Sequence, residues 1–139
     1  MTGIDKQLIG RKAELIQRDL EKLKEFEKVT LDEYMKDYDT RLRVERLLEK
    51  IVGRLVDINR HILKIDFNDL PLDYYQSFIL IGRHKVVNND LATNLSDSAG
   101  LRNALAHEYD FIDDTKVYRA IKLSLTQIPK YLGQILKKY

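Results

Sequence analysis

The chain has 139 residues, and its 24 Lys and Arg residues against 22 Asp and Glu give a formal net charge of +2. This length predicts one domain over residues 1–139, because domains typically hold about 100–200 residues, and 44% hydrophobic residues suffice for a buried core. The absence of cysteine excludes a disulfide framework, a thiolate metal site and a cysteine nucleophile. No segment is apolar for long enough to span a bilayer, so we expect a soluble, cytoplasmic protein without membrane contact.

Helices are predicted from the start of the chain. Two prolines and six glycines leave few breaks, and apolar residues recur every three or four positions, as on one face of a helix. Thr30 and Glu33 match a capping box, which predicts a helix start there, followed by a break near residues 38–40. A long helix is predicted over residues 41–65, and Gly53 within it indicates close approach of a neighbouring helix. The apolar faces of the first and the long helix comprise Ile9, Ala13, Ile16, Leu20 and Leu23, and Val44, Leu48, Ile51, Leu55, Ile58 and Ile62.

The second half of the chain also predicts helices. Residues 66–71 form the clearest loop, because the proline at its end disfavours helix in the residue before it. The apolar run 78–81 could be a strand, but no second strand is predicted to pair with it, so we expect a short helix. Another helix follows residues 88–90, and Asp113 and Asp114 are placed to cap the last one. These elements predict an all-α, up-and-down bundle of four or five main helices joined by short loops.

The three histidines are the first candidates for chemistry. His61 lies beside the apolar face of the long helix, where packing or a surface hydrogen bond accounts for it. His84 stands between Arg83 and Lys85, in a basic cluster that either ends a helix in solvent or contacts a phosphate. The third, His107, differs because of the side chains that accompany it.

His107 lies in the segment LRNALAHEYD at residues 101–110. His107 can move protons near neutral pH, Arg102 can brace phosphate oxygens, and Tyr109 can donate a hydrogen bond or stack. No serine or aspartate is an evident nucleophile, and no carboxylate cluster predicts a two-metal site. In an RNA-cleaving site, the attacking group would therefore be the 2′-hydroxyl of the substrate, which predicts a metal-independent reaction confined to RNA. Spacing alone leaves a structural role open, since Arg and His five residues apart occur in many helices.

The angular positions of these residues on one helix add a constraint. At about 100° per residue, Arg102 and Tyr109 lie within roughly 20° of each other, whereas His107 lies about 140° around the helix from Arg102. One straight helix therefore cannot direct all three side chains at one phosphate. Either the helix ends near His107 and turns, or two copies of the segment meet across a symmetric dimer, which we favour.

The segment from Arg102 to Tyr109 resembles the signature of the HEPN superfamily, in which an Arg and a polar residue are followed by a His. More narrowly, the spacing of its Arg, His and Tyr resembles the extended motif of HepT toxins, the partners of MntA nucleotidyltransferases in type VII toxin–antitoxin systems. The resemblance covers nearly the whole chain, including the PLDYYQSF segment at residues 71–78 and residues 112–118 before and within the last helix. It implies a HEPN-type bundle of four to five helices.

The resemblance also implies roles for four residues. Arg102 would steady the scissile phosphate, His107 would transfer protons, and Asn103 would support them. Tyr109 matches the tyrosine to which MntA antitoxins attach AMP from ATP, and the added charge and bulk would keep RNA out. The resemblance further implies a homodimer or higher even oligomer, and no cofactor for the toxin itself, because the antitoxin uses the ATP and Mg²⁺.

Two basic regions are candidates for RNA contact. No acidic residue follows Asp114, whereas six Lys and Arg residues do, so the total of +2 leaves −4 for the rest of the chain. Lys116 and Arg119 in this region, together with Arg83 and Lys85, are therefore candidate phosphate contacts. The alternative is a solvated helix whose lysines favour its C-terminal dipole. The long helix carries a rival patch diluted by acidic neighbours: Arg41, Arg43, Arg46, Arg54 and Arg60.

Tyrosine side chains could add stacking to these charges. Tyr74, Tyr75 and Tyr109 could each stack on an unpaired base. The alternative is packing at the rim of the core, which is the commoner role of such a residue.

Three functions remain open from the sequence. The first is a ribonuclease toxin acting on an RNA such as tRNA or mRNA and silenced by AMPylation of Tyr109. The alternative is a non-catalytic helical subunit that binds a minimal nucleotidyltransferase or presents its substrate, and the third is a purely structural bundle. Only the toxin would arrest growth when expressed alone.

Overall fold

The computed structural model describes residues 3–107, 110 and 112–139, and within them the regular structure is helical, without a strand. The prediction of an all-α bundle is therefore confirmed, and the apolar run 78–81 is helical. Five main helices and one short one occur in these residues: α1 Lys6–Lys24, α2 Leu31–Lys36, α3 Tyr38–Phe67, α4 Tyr74–Arg83, α5 Asn89–His107 and α6 Asp114–Lys138.

Polar side chains cap the helices that the sequence predicted to be capped. The Thr30 hydroxyl accepts a hydrogen bond from the Glu33 amide, and the Glu33 carboxylate accepts one from the Thr30 amide, so the capping box of α2 is confirmed. The Asp113 carboxylate accepts hydrogen bonds from the first amides of α6. These bonds satisfy backbone donors that have no partner within the helix.

The ends of α3 differ from the prediction by a few residues. The break before it falls at Asp37, whose side chain caps α3, so residues 38–40 belong to the first turn rather than to a break. The helix continues through Phe67, two residues into the predicted loop, and ends where Asn68 adopts the left-handed conformation with φ 48°. Asparagine tolerates this conformation and stops a helix there.

Helix α3 is central and contacts each of the other five. Helix α1 runs antiparallel to α3, whereas α6 runs parallel to it. Helix α4 also runs parallel to α3, because the intervening loop leads the chain back along α3, and α5 returns antiparallel to α4. The predicted up-and-down order is therefore interrupted between α3 and α4. The contacts of Asp5 with His61 and of Lys12 with Asp57 fix the direction of α1, and those of Arg41 with Asp114 and of Tyr139 with Asp66 fix that of α6. The contacts of Asn59 with Ser77 and of Phe67 with His84 fix the direction of α4. Those of Gly82 with Ala92 and of Tyr74 with Arg102 fix the direction of α5.

The core forms where the apolar faces meet. Every residue predicted for the apolar faces of α1 and α3 is buried. The helical period places these residues on one face of each helix, and the two faces pack against each other. Among the helices of the described ranges, none is both long and apolar enough to cross a membrane.

Helix α4 packs closely on α5 at Gly82. A Cβ atom at this position would lie 2.8 Å from Oδ1 of Asn89 and 3.0 Å from Cβ of Ala92. These separations are shorter than ordinary van der Waals contact, so a side chain here would push the two helices apart. Gly133 in α6 is different, because a Cβ atom there would meet nothing within 4 Å.

Gly82→Ala is expected to lower the free energy of unfolding by about 1–2 kcal/mol, because overpacking outweighs the gain in helix propensity. The matched control Gly133→Ala is expected to raise it by about 0.5–1 kcal/mol, since only helix propensity changes there. Urea denaturation followed by circular dichroism measures both values. Equal stabilisation by the two substitutions would contradict the close packing of α4 on α5.

Candidate active site

Arg102 lines a cleft between α3, α4 and α5 with a volume of about 350 Å³. Gly53 of α3 leaves room for its side chain, since a Cβ atom at Gly53 would lie 3.9 Å from Nε of Arg102. The predicted close approach of a neighbouring helix at Gly53 is wrong: the described atom nearest to such a Cβ belongs to the Arg102 side chain, at an ordinary van der Waals distance. Tyr74 of α4 lies on another side, with its ring centre 5.1 Å from the guanidinium carbon. The other lining residues are Arg46, Glu49, Lys50, Arg54 and Asp57.

The Arg102 guanidinium has no carboxylate partner in the part of the chain that the structure describes. Its Nε atom is buried and makes no hydrogen bond with any described residue. The two carboxylates that line the cleft have other partners: Glu49 pairs with Arg46 at 2.7 Å, and Asp57 pairs with Lys12 at 2.8 Å. A buried donor without a partner is unfavourable. An anion that enters the cleft would supply the missing acceptor.

Further cations line the α3 side of the cleft. Arg46, Lys50 and Arg54 are four residues apart and therefore share one face of α3. Lys50 and Arg54 both pair with one carboxylate, that of Asp19. Positive groups thus outnumber acidic ones, and the cleft keeps a positive potential that favours phosphate. This spacing of four is visible in the sequence, and the rival patch on α3 includes Arg46 and Arg54 but not Lys50.

The other residues of the predicted motif lie outside this cleft or outside the described residues. His107 is the last residue of α5, and its side chain is exposed, as is that of Asn103. No contact joins His107 to Arg102 within the described ranges, which agrees with their separation of about 140° around the helix. Tyr109 lies outside the described residues.

The candidate RNA contacts fall at two ends of the bundle. Lys116 and Arg119 are exposed in the first turns of α6, the helix that follows His107. Arg83 and Lys85 are exposed where α4 ends, next to the start of α5. The start of α5 at Asn89 lies roughly 20 Å from Arg102 along the helix axis, because each residue adds about 1.5 Å. The fold therefore separates the second pair from the cleft.

The two remaining histidines make contacts between separate parts of the fold. His61 accepts a hydrogen bond from the Asp5 amide at 2.9 Å, so the predicted surface hydrogen bond is confirmed. His84 lies 2.8 Å from a carboxylate oxygen of Asp69 and stacks on Phe67 with ring centres 4.2 Å apart. These contacts join the end of α4 to the α3–α4 loop, which favours a structural role over a phosphate contact. Within the described residues, no group of three or more His, Asp or Glu side chains could hold a metal ion.

A buried chain of hydrogen bonds supports Tyr74 from within the core. The Tyr131 hydroxyl donates to Oδ1 of Asn59, and Nδ2 of Asn59 donates to the Ser77 hydroxyl at 3.2 Å. Ser77 in turn donates to the backbone carbonyl of Tyr74 at 2.7 Å. The three side chains that form the chain are fully buried, and burial raises the pKa of Tyr131 far above its usual value, so its hydroxyl stays a donor. The sequence prediction missed this network, although Asn59 adjoins the apolar face of α3.

The model of the family described as ribonuclease HepT-like matches residues 16–135 of the chain. The chain belongs to the HepT-like ribonuclease family. The tRNA nuclease HepT of Aphanizomenon flos-aquae (strain 2012/KM1/D3) is 40% identical over 135 residues, which cover 97% of this chain and 92% of that protein. Membership confirms the resemblance to HepT toxins and the predicted enzyme class, a ribonuclease.

Two further relatives of this HepT-like chain come from Shewanella oneidensis. An mRNA nuclease HepT is 23% identical over 103 residues, which cover 74% of this chain and 77% of that protein. The solved structure of a tri-AMPylated HEPN toxin in complex with MNT antitoxin has a TM-score of 0.85 and 20% identity, covering 96% of this chain and 99% of that chain. This structural likeness confirms the HEPN fold.

Asn59→Leu is expected to lower the free energy of unfolding by about 1–3 kcal/mol, because the buried Tyr131 hydroxyl loses its acceptor. The double variant Asn59→Leu/Tyr131→Phe removes both groups and is expected to recover part of that loss. Chemical denaturation of wild type, both single variants and the double variant gives the coupling free energy. Strictly additive losses would argue against a hydrogen bond between the two side chains.

Proposed function

We propose that this HepT-like protein is the ribonuclease toxin of a type VII toxin–antitoxin pair. The observation that carries the proposal is the Arg102 guanidinium, which has no carboxylate partner among the described residues, in a positively charged cleft. A phosphodiester in this cleft would accept hydrogen bonds for which no described carboxylate competes. The similarity to a tRNA nuclease and to an mRNA nuclease supports RNA as the substrate, either tRNA or mRNA.

The proposed reaction uses the 2′-hydroxyl of the RNA as nucleophile. His107 removes the proton from this hydroxyl, and the oxygen attacks the adjacent phosphorus while the bond to the 5′-oxygen of the next nucleotide breaks. The departing 5′-oxygen takes up a proton from the imidazolium that His107 has become, so the reaction releases no net proton and leaves a 2′,3′-cyclic phosphate and a 5′-hydroxyl. Arg102 stabilises the negative charge that builds on the non-bridging oxygens, and Asn103 supports it. The RNA supplies the nucleophile and residues of this chain supply the other groups, so the proposed reaction requires no cofactor.

A homodimer or higher even oligomer completes the proposed site. Arg102 points into the cleft, whereas His107 is exposed at the end of α5, so a symmetric contact between two such ends would bring the motifs together. Lys116 and Arg119 are exposed in the helix that follows and would contact the flanking phosphates. Arg83 and Lys85 lie at the other end of α5 and take no part in this proposal.

The proposed partner is an MntA-like nucleotidyltransferase antitoxin that AMPylates Tyr109. The tri-AMPylated HEPN toxin bound to MNT antitoxin supports this partner. In the reaction, the Tyr109 oxygen attacks the α-phosphorus of ATP, pyrophosphate leaves, and the phenol loses its proton. The antitoxin holds the ATP and Mg²⁺. Each AMP adds a negative phosphodiester and a nucleoside two residues from His107, which would repel and obstruct the RNA.

The purified protein is expected to cleave tRNA or mRNA in the presence of EDTA. Arg102→Ala and His107→Ala are each expected to lower the rate at least about a hundredfold, because charge stabilisation or proton transfer is lost. Arg83→Ala is the matched control and should stay near the wild-type rate, since Arg83 lies far from the cleft. Cleavage is measured on end-labelled RNA and on the same RNA with a single 2′-deoxy substitution at the cut position.

Two outcomes would contradict the proposed reaction: cleavage by His107→Ala at the wild-type rate, and cleavage at the 2′-deoxy position. A wild-type protein that binds the antitoxin but neither cleaves RNA nor arrests growth would instead support the non-catalytic partner subunit.

Incubation with the cognate antitoxin, ATP and Mg²⁺ is expected to add AMP to Tyr109 and to abolish RNA cleavage. Tyr109→Phe should remain unmodified and active, because it lacks the attacking oxygen. Tyr38→Phe, which changes an exposed tyrosine of α3, is the control and should be modified like the wild type. Peptide mass spectrometry locates the AMP. Modification at another residue, or full inhibition of Tyr109→Phe, would refute the assignment.

A further inference from the structure

We propose that Tyr74 is a positioning residue that holds the Arg102 guanidinium in the orientation needed for cleavage, an inference that rests on the proposed function. The ring of Tyr74 contacts this guanidinium, with 5.1 Å between the guanidinium carbon and the ring centre. Among the described residues, none forms a hydrogen bond or an ion pair with the guanidinium, and its Nε atom is buried.

An aromatic ring suits this task better than a carboxylate would. A carboxylate would neutralise the guanidinium and occupy the N–H donors that a phosphate needs. The face of a tyrosine ring attracts the cation through its quadrupole and leaves the N–H groups in the guanidinium plane free. Gly53, on the α3 side, presents no side chain that could compete for them. Tyr74 therefore orients Arg102 without reducing its capacity to bind an anion.

Tyr74 is itself fixed at the start of α4. The preceding residue, Asp73, caps this helix by accepting a hydrogen bond from the Gln76 amide at 2.7 Å. The Tyr74 carbonyl accepts the hydrogen bond from Ser77 that ends the buried chain through Asn59 and Tyr131. The position of the ring is thus tied to α3 and α6 through the core. An isolated surface tyrosine would have no such support.

Tyr75 provides a matched control within the same turn. It is 50% exposed, and no described ring contact, hydrogen bond or ion pair involves it. Substituting Tyr75 therefore changes the same residue type, next in the chain, without touching Arg102. A base-stacking role for α4 tyrosines in general would affect both residues, whereas positioning of Arg102 concerns Tyr74 alone.

The kinetic test compares three variants on the RNA that the wild type cleaves. Tyr74→Leu is expected to lower kcat about tenfold with KM within about twofold, because a misplaced Arg102 guanidinium stabilises the additional transition-state charge less well, while the other cations of the cleft still attract the phosphate of the bound RNA. Tyr74→Phe keeps the ring and should restore kcat, and Tyr75→Leu should match the wild type. Unchanged kcat in Tyr74→Leu, or a raised KM with unchanged kcat, would overturn the proposal, the latter indicating direct RNA binding by Tyr74.

A second measurement locates the guanidinium without relying on activity. The Nε–H resonance of Arg102, identified by its loss in Arg102→Ala, is expected to carry a ring-current shift in ¹⁵N-resolved spectra. The shift should disappear in Tyr74→Leu and persist in Tyr74→Phe and Tyr75→Leu, with the amide spectrum confirming that each variant is folded. An Nε–H resonance unaffected by Tyr74→Leu would overturn the positioning role. A ring-current shift in a protein that cleaves no RNA would instead overturn the proposed function.

Discussion

The contact between the Arg102 guanidinium and the Tyr74 ring is the interaction on which the site depends. It leaves a positive charge partly buried without a described counterion, in surroundings where an unpaired charge is unfavourable and an incoming anion gains the most. Gly53 borders the contact: a Cβ atom there would already lie at van der Waals distance from the guanidinium, so a larger side chain would compete for its space. Residues from three helices therefore surround this single cation.

The fold accounts for how these helices are held together. Helix α3 contacts every other helix, and α4 is fixed between its neighbours by close packing at Gly82 on one side and by the hydrogen bond that Asn59 donates to Ser77 on the other. The α3–α4 loop brings α4 back alongside α3, which places the start of α4 beside the middle of α3 and the last third of α5. The cleft forms at this crossing, so its geometry depends on core packing rather than on a flexible loop.

Much of this could be predicted from the sequence, and the exceptions have physical causes. The 3.6-residue period and the capping residues predicted the helices, and the spacing of Arg102, His107 and Tyr109 predicted the family. The partner of Arg102 could not be predicted, because Tyr74 lies 28 positions away and the two meet only through the antiparallel packing of α4 on α5. The fold also decides which cations accompany Arg102: those of α3 line the cleft, whereas Arg83 and Lys85 are separated from it.

The most direct test of this account is a crystal structure of the His107→Ala variant bound to an RNA with a 2′-deoxy nucleotide at the cleavage position. Our account predicts the scissile phosphate within hydrogen-bonding distance of the Arg102 guanidinium, with the guanidinium still resting on the Tyr74 ring. The α3 cations of the cleft, together with Lys116 and Arg119, would then lie along the flanking phosphates. An RNA bound elsewhere, with Arg102 paired to a carboxylate and the cleft empty, would contradict it.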